Sequence, residues 1–237
     1  MTMEIRVRVI DLHQKIGKKP ILTGVSFTVG VGECFGIFGT RGVGKTTLLH
    51  TLAGIRRYKV GQVEVLGYNP RKTDVFKRSL GVVTQEPSLF HDLRVIENLD
   101  FMATLKQAKG QDIERVIEQF ELQDYLRESA EALEAGPYQR LSMACALINS
   151  PVLLVIDELI KDIDLYSRRL LLRELNRFVQ GGGTCIWGFS QIEQCLLMHR
   201  VGWLENGQLT ELEPQETLEK WQQQEKEWLL PGGEVGV

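Results

Sequence analysis

The chain has 237 residues, 43% of them hydrophobic and 25% charged, which suffices for one well-buried globular domain. Its 28 Lys and Arg against 31 Asp and Glu leave no net positive field of the kind that gathers nucleic acid, so no nucleic-acid partner is expected. The longest apolar runs, such as PVLLVI at 151–156, fall short of the roughly 18 residues a membrane-spanning helix needs, and the opening MTMEIRVRVIDL lacks the basic-then-apolar layout of a signal peptide.

In chain order, IRVRVIDL (5–12), ILTGVSFTV (21–29), ECFGIFG (33–39), QVEVLG (62–67) and LGVVT (80–84) read as strands, each closed by glycine, proline or polar turn residues. The basic run KIGKKP (15–20) reads as a solvated turn. From Val95 to Asn149 the pattern is mainly helical, with Ile113, Val116, Ile117 and Phe120 as a core stripe. VLLVID (152–157) and TCIWGFS (184–190) are apolar almost throughout, as strands buried on both faces should be. Between them Leu165, Leu172, Leu175 and Phe178 mark an amphipathic helix, and from Pro214 a polar helix runs to a loose PGGEVGV end. The scattered Cys34, Cys145, Cys185 and Cys195 suit reduced core thiols better than a metal site or disulfides. This order predicts an α/β domain with a mainly parallel sheet and an inserted helical lobe. Trp187 and Trp203 are expected in the sheet or core rather than at a ligand.

The chemistry lies in residues 39–47, Gly39, Thr40, Arg41, Gly42, Val43, Gly44, Lys45, Thr46 and Thr47, which satisfy G-x-x-x-x-G-K-[ST] between a strand and a helix. Glycines let the backbone curl so that amide groups and the helix N-terminus face phosphates; Lys45 reaches the terminal phosphates and the Thr46 hydroxyl suits Mg²⁺. At the end of VLLVIDE, Asp157 is placed to bind the metal through water and Glu158 to polarise an attacking water. Gln85, after LGVVT, is expected to sense the metal. No N-K-x-D or D-x-x-G stretch points to a guanine-nucleotide switch.

Taken together, residues 22–54, Gln85, LRVIENLDF (93–101) and residues 134–158 resemble the ATP-binding cassette (ABC) family over nearly the whole chain, and LRVIENLDF is most similar to its exporter-type, ABC-2-like branch. The resemblance implies a RecA-like phosphate-loop NTPase core with a small antiparallel β part (1–85 and 150–212), a helical subdomain (86–149) and a C-terminal helix and tail (213–237). It also implies ATP and Mg²⁺ as cofactors, a membrane-spanning transporter subunit as partner, and a place on the inner face of the cell membrane. Two such domains would meet face to face, as a heterodimer or a homodimer, each ATP lying between one phosphate loop and the other chain's signature motif. Asp164 matches the acidic loop between the two sites, with Asp162 as a second candidate in KDID.

Three positions depart from the family pattern. The signature Leu-Ser-Gly-Gly-Gln appears as Leu133, Glu134, Ala135, Gly136 and Pro137, a carboxylate replacing the serine that meets the partner's γ-phosphate. Two like charges about 4 Å apart repel by about 4 kcal/mol at an effective dielectric of 20, more than the roughly 1.5–3 kcal/mol of a charge-assisted hydrogen bond. Glu134 escapes this only by turning outward, by pairing with an arginine such as Arg140, or by protonation. Ser190 stands where the family has a histidine that contacts the γ-phosphate, and no histidine lies between His91 and His199. Ile16 falls on or near the place of the aromatic that stacks on adenine, and no Phe, Tyr or Trp precedes Phe27, so base stacking worth about 1–3 kcal/mol is absent. The expectation is an ATP-binding transporter subunit with slow or partner-dependent hydrolysis; the alternative is a nucleotide-binding regulatory or structural subunit that does not hydrolyse.

Overall fold

Alternation of apolar and polar residues builds the first sheet. In the computed structural model, which describes residues 4–85 and 88–229, β1 (Ile5–Ile16) and β2 (Lys19–Gly30) form an antiparallel hairpin through the exposed KIGKKP turn, and β4 (Val60–Val65) pairs antiparallel with β1. Val7, Val9, Leu12, Val25, Phe27 and Val29 line its buried face, and Arg8 and Ser26, which alternate with them, point to solvent.

The second sheet obeys the other rule. It runs β5 (Leu80–Val83), β6 (Leu153–Asp157), β7 (Thr184–Phe189), β3 (Cys34–Phe38), β8 (Arg200–Glu205) and β9 (Gln208–Leu212), parallel except for the β8–β9 hairpin. Every residue of β3, β6 and β7 is buried, as in central parallel strands covered on both sides. Alternate residues supply two cores. Phe35, Ile37, Leu153, Val155 and Ile186 pack with the antiparallel sheet and α1 (Lys45–Leu52). Leu154, Ile156, Cys185, Trp187 and Phe189 pack with α4 (Ala135–Leu147) and α5 (Leu165–Gln180) on the opposite face.

The expected helical stretch holds α2 (Val95–Lys106), α3 (Gly110–Gln119) and α4. Helix α4 packs on β5 and α5, and α2 and α3 pack on α4. Val116 and Phe120 are fully buried, with Ile113 and Ile117 partly buried beside them. The four cysteines lie free within the core, and Trp187 and Trp203 are core residues as expected.

Three expectations are corrected. Leu165 is exposed at the start of α5, whose buried stripe uses Leu170, Leu171 and Leu175 instead. The β8–β9 hairpin has no counterpart among the expected strands, although Asn206 and Gly207, both at positive φ (50° and 77°), form the tight turn an Asn-Gly pair favours. The C-terminal helix α6 (Pro214–Leu229) is not polar all round. Thr217 is buried, and the Trp221 ring lies 5.5 Å from Phe38 and 6.4 Å from Trp203. The PGGEVGV end falls outside the described residues. Among the described residues no helix is long and apolar enough to cross a membrane.

Candidate functional site

Parallel strands β3, β6 and β7 finish along one rim of the sheet, where such folds place ligands, and the residues singled out from the sequence gather there. After β3 the chain turns through residues 39–44 into α1. Glycine is required by close approach: a Cβ on Gly39 would stand 2.6 Å from the Leu204 carbonyl oxygen, and one on Gly44, at φ 118°, 2.8 Å from Ile21 Cγ2. Helix α1 starts directly at Lys45, so its first-turn amides, which have no partners within the helix, sit beside the loop.

The resulting cleft has a volume of about 230 Å³ and is lined by Ile16, Ile21, Arg41, Gly42, Gly44, Lys45, Thr46, Thr47, Gln85, Asp157, Glu158, Lys161 and Ser190. Lys45 reaches back over the loop, its Nζ donating to the carbonyls of Gly39 (2.7 Å) and Thr40 (3.2 Å) and lying 3.8 Å from Glu158 Oε1. Burial pulls its pKa below the ordinary lysine value; Glu158 and Asp157 partly offset this, and the Lys161 charge adds to it. Thr46 Oγ1 donates to Asp157 Oδ2 at 2.6 Å.

Glu158 is held from two sides. Its amide donates to the Gly188 carbonyl at 2.9 Å with the backbone at φ 59°, a left-handed conformation in which a non-glycine residue persists only when its surroundings fix it. Its Oε1 accepts the Ser190 hydroxyl at 2.7 Å. Glu158 Oε2 and Asp157 Oδ1 are buried and have no hydrogen-bond partner among the described residues. Orphaned buried carboxylate oxygens are costly unless something else meets them. Asp157 Oδ1, with the Thr46 hydroxyl held against the same carboxylate, offers oxygen donors of the kind that suits Mg²⁺. Gln85 is exposed at the cleft edge.

Glu134, Gly136 and Asp164 do not line this cleft. They make a second patch, where α4 and α5 begin side by side. Glu134 is the exposed N-cap residue of α4, and its side chain makes no capping bond. Asp164 caps α5, accepting the Ser167 amide at 2.8 Å; bonds from Ser167 hold its carboxyl below the usual carboxylate range. Asp164 thus has a structural task as the cap of α5, and Asp162 sits in the preceding turn at φ 55°. Gly136 is pressed against the cap, since a Cβ there would lie 1.9 Å from Asp164 Oδ2. The Arg140 pairing considered for Glu134 is absent: Arg140 is buried, donates to the carbonyls of Phe120 and Glu121, and lies over the Tyr125 ring.

His199 is equally remote from the cleft. Its Nδ1 accepts the Cys34 amide at 2.9 Å, at the opposite end of β3 from the loop. Ile16, as read from the sequence, does line the cleft, and the structure adds Ile21 and Lys161, which sequence reasoning missed. Ile21 carried no signal. Lys161 had a weak one, standing just beyond the apolar pair Leu159 and Ile160.

A family model described as ABC transporter matches residues 22–161. The chain is 33% identical over 187 residues to the Nod factor export ATP-binding protein I of Rhizobium meliloti (strain 1021), covering 77% of this chain and 56% of that protein. It is 31% identical over 206 residues to the linearmycin resistance ATP-binding protein LnrL of Bacillus subtilis (strain 168), covering 84% of this chain and 66% of that one. The chain therefore spans only part of the length of these curated relatives, just over half of the first. A solved structure described as the ATP binding subunit of an ABC transporter superposes with TM-score 0.82 at 21% identity, covering 91% of this chain and 93% of the other. A dimeric post-hydrolysis ATP-binding cassette bound to ADP and Pi does so with TM-score 0.80, also at 21% identity, covering 88% and 98%. At these identities the structures establish the fold, and the family match over more than half of the chain establishes the rest: this chain belongs to the ABC transporter family.

Proposed function

We propose that the chain is the ATP-binding part of an exporter-type ABC transporter, coupling the binding and slow or partner-dependent hydrolysis of Mg-ATP to a separate membrane subunit. The observation that carries this reading is the constellation of Lys45, Thr46, Asp157 and Glu158 in one cleft, with a buried oxygen on each carboxylate left without a partner. On this reading the backbone of residues 39–44 and α1 hold the phosphates, Thr46, Asp157 and Gln85 take the metal, which would supply charge neutralisation at the terminal phosphates, and Glu158 orients the attacking water. Glu158 Oε2 is the oxygen free to accept that water's proton, and Ser190 fixes the carboxylate by holding the other oxygen. This geometry favours turnover over the non-hydrolysing alternative.

The same reading takes the chain as one nucleotide-binding domain with core 1–85 and 150–212, helical lobe 86–149 and a C-terminal helix from 213. A groove of about 410 Å³ shares Thr46, Gln85 and Asp157 with the cleft and is otherwise lined by His50, Ile55, Arg56, Thr84 and Ser88. With exposed Ile55 and the exposed Phe90–Phe101 ring pair, it offers a seat for a membrane subunit's helix at the inner face of the membrane. Two relatives are named for export of Nod factor and for linearmycin resistance; an export role here is inferred from that company, and the cargo is left open. A second nucleotide-binding domain would complete the assembly, Glu134 favouring a different chain over a copy of this one.

The test is nucleotide binding and phosphate release by the purified chain. Mg-ATP binding with slow release that Lys45→Ala and Glu158→Gln each abolish supports the reading. Absence of nucleotide binding, or release indifferent to both substitutions, rejects it.

A further inference from the structure

Lys161 lines the nucleotide cleft beside Lys45, Glu158 and Ser190, and the functional reading above leaves it without a task. Its position is built by its neighbours. Leu159 and Ile160 are buried in the core, and Glu158 and Asp162, at φ 59° and 55°, bracket the turn in left-handed conformations. Two apolar anchors inside a tight turn leave the next side chain at the cleft. There Lys161 lines the same cleft wall as Lys45 and Glu158.

Among the described residues no ion pair or hydrogen bond engages the Lys161 ammonium. The nearby Glu158 carboxylate is already shared, its Oε1 taking the Ser190 hydroxyl at 2.7 Å and lying 3.8 Å from Lys45. Lys161 and Lys45 both line the cleft, and a polyanion placed between two cations is attracted to both. At the same end of the cleft, Ser190 is uncharged and its proton is committed to Glu158, so it brings no charge to a terminal phosphate.

We propose that Lys161 is a second cation for the terminal phosphate of a bound nucleoside triphosphate, supplied by this chain to its own cleft from the turn after Glu158. The proposal rests on the nucleotide-binding reading above. It makes Lys161 a residue that separates triphosphate from diphosphate, whereas Lys45 and the loop serve both.

Calorimetric titration of the purified chain with ADP and with the β,γ-imido analogue of ATP, each with Mg²⁺, tests it without turnover. Lys161→Met keeps the aliphatic stem and removes the charge. The expected result is an affinity for the triphosphate analogue about tenfold weaker, the scale of one charge-assisted hydrogen bond, with ADP affinity unchanged and the loss recovered in Lys161→Arg. Equal affinities of wild type and Lys161→Met for the analogue, or equal losses for both nucleotides, would overturn the proposal while leaving the nucleotide reading intact. Failure of the wild-type chain to bind either nucleotide would overturn both. Thermal melting of each variant checks that the fold is kept, which is expected because the side chain is partly exposed and makes no ion pair among the described residues.

Discussion

On the proposed reading the residue that positions the candidate base is Ser190. Its hydroxyl donates to Glu158 Oε1 at 2.7 Å, which leaves Oε2, buried and without a partner among the described residues, as the other carboxylate oxygen. Ser190→Ala leaves Oε1 facing only the more distant Lys45, and the carboxylate gains freedom to turn. A hydrogen bond to a charged group contributes about 1.5–3 kcal/mol, so on the proposed reading kcat for ATP is expected to fall by roughly ten- to a hundredfold or more, with KM little changed because Ser190 holds the proposed base, Glu158, and not the nucleotide. Steady-state phosphate release separates the two constants; a change in KM alone would mean that Ser190 acts on binding. At this scale the phosphate loop and the acidic pair were legible, because cradling phosphates demands glycine at fixed places and a metal beside them calls for a carboxylate at a strand end. Lys161 was not. A lysine reads as a solvated charge wherever it stands, and only the burial of Leu159 and Ile160 puts this one in the cleft.

Among elements, the buried parallel strands were the clearest signal, since β3, β6 and β7 need apolar residues on both faces and show them. The β8–β9 hairpin escaped notice although Asn206-Gly207 announces it. Strand β9 is mostly exposed, so its apolar content is too low to mark a strand, and the turn chemistry was the only strong clue. Leu165 fits the amphipathic spacing of α5 yet is exposed, because periodicity says nothing about where a helix begins to be covered and α5 starts outside the packed region. The junction of α4 with α5 gives a test of its own. Gly136→Ala would drive a methyl group into Asp164 Oδ2 and to within 2.5 Å of Ser167 Oγ. Overpacking of this kind costs typically about 1–3 kcal/mol, which in a chain of this size lowers Tm by roughly 2–4 °C per kcal/mol. Differential scanning calorimetry should show that loss; an unshifted Tm would mean that the two helix ends are free to part.

For the whole chain, the proposed pairing turns on Glu134. Glu134 stands exposed at the start of α4, with Arg140 buried away from it and no capping bond to hold its carboxylate down. In a face-to-face pair of identical chains both nucleotides would meet this charge, at a cost of about 4 kcal/mol per contact if the groups come within about 4 Å at an effective dielectric of 20. Glu134→Ser, placed in a Glu158→Gln background that prevents turnover, is therefore expected to raise the ATP-dependent dimer fraction well above that of Glu158→Gln alone. Light scattering on a sizing column measures it, and equal fractions would show that Glu134 turns aside. The overall architecture was legible because motif order along the chain fixes which strand ends meet at the rim; assembly was not, because it depends on a surface whose partner is another chain. The first hairpin carries a further consequence. Ile16 and Ile21 give the mouth of the cleft two aliphatic walls with neither donor nor acceptor, so they weigh a guanine much as they weigh an adenine. On the proposed reading this hairpin therefore contributes cover for a base without choosing it, and discrimination between purines has to come from elsewhere than these two side chains.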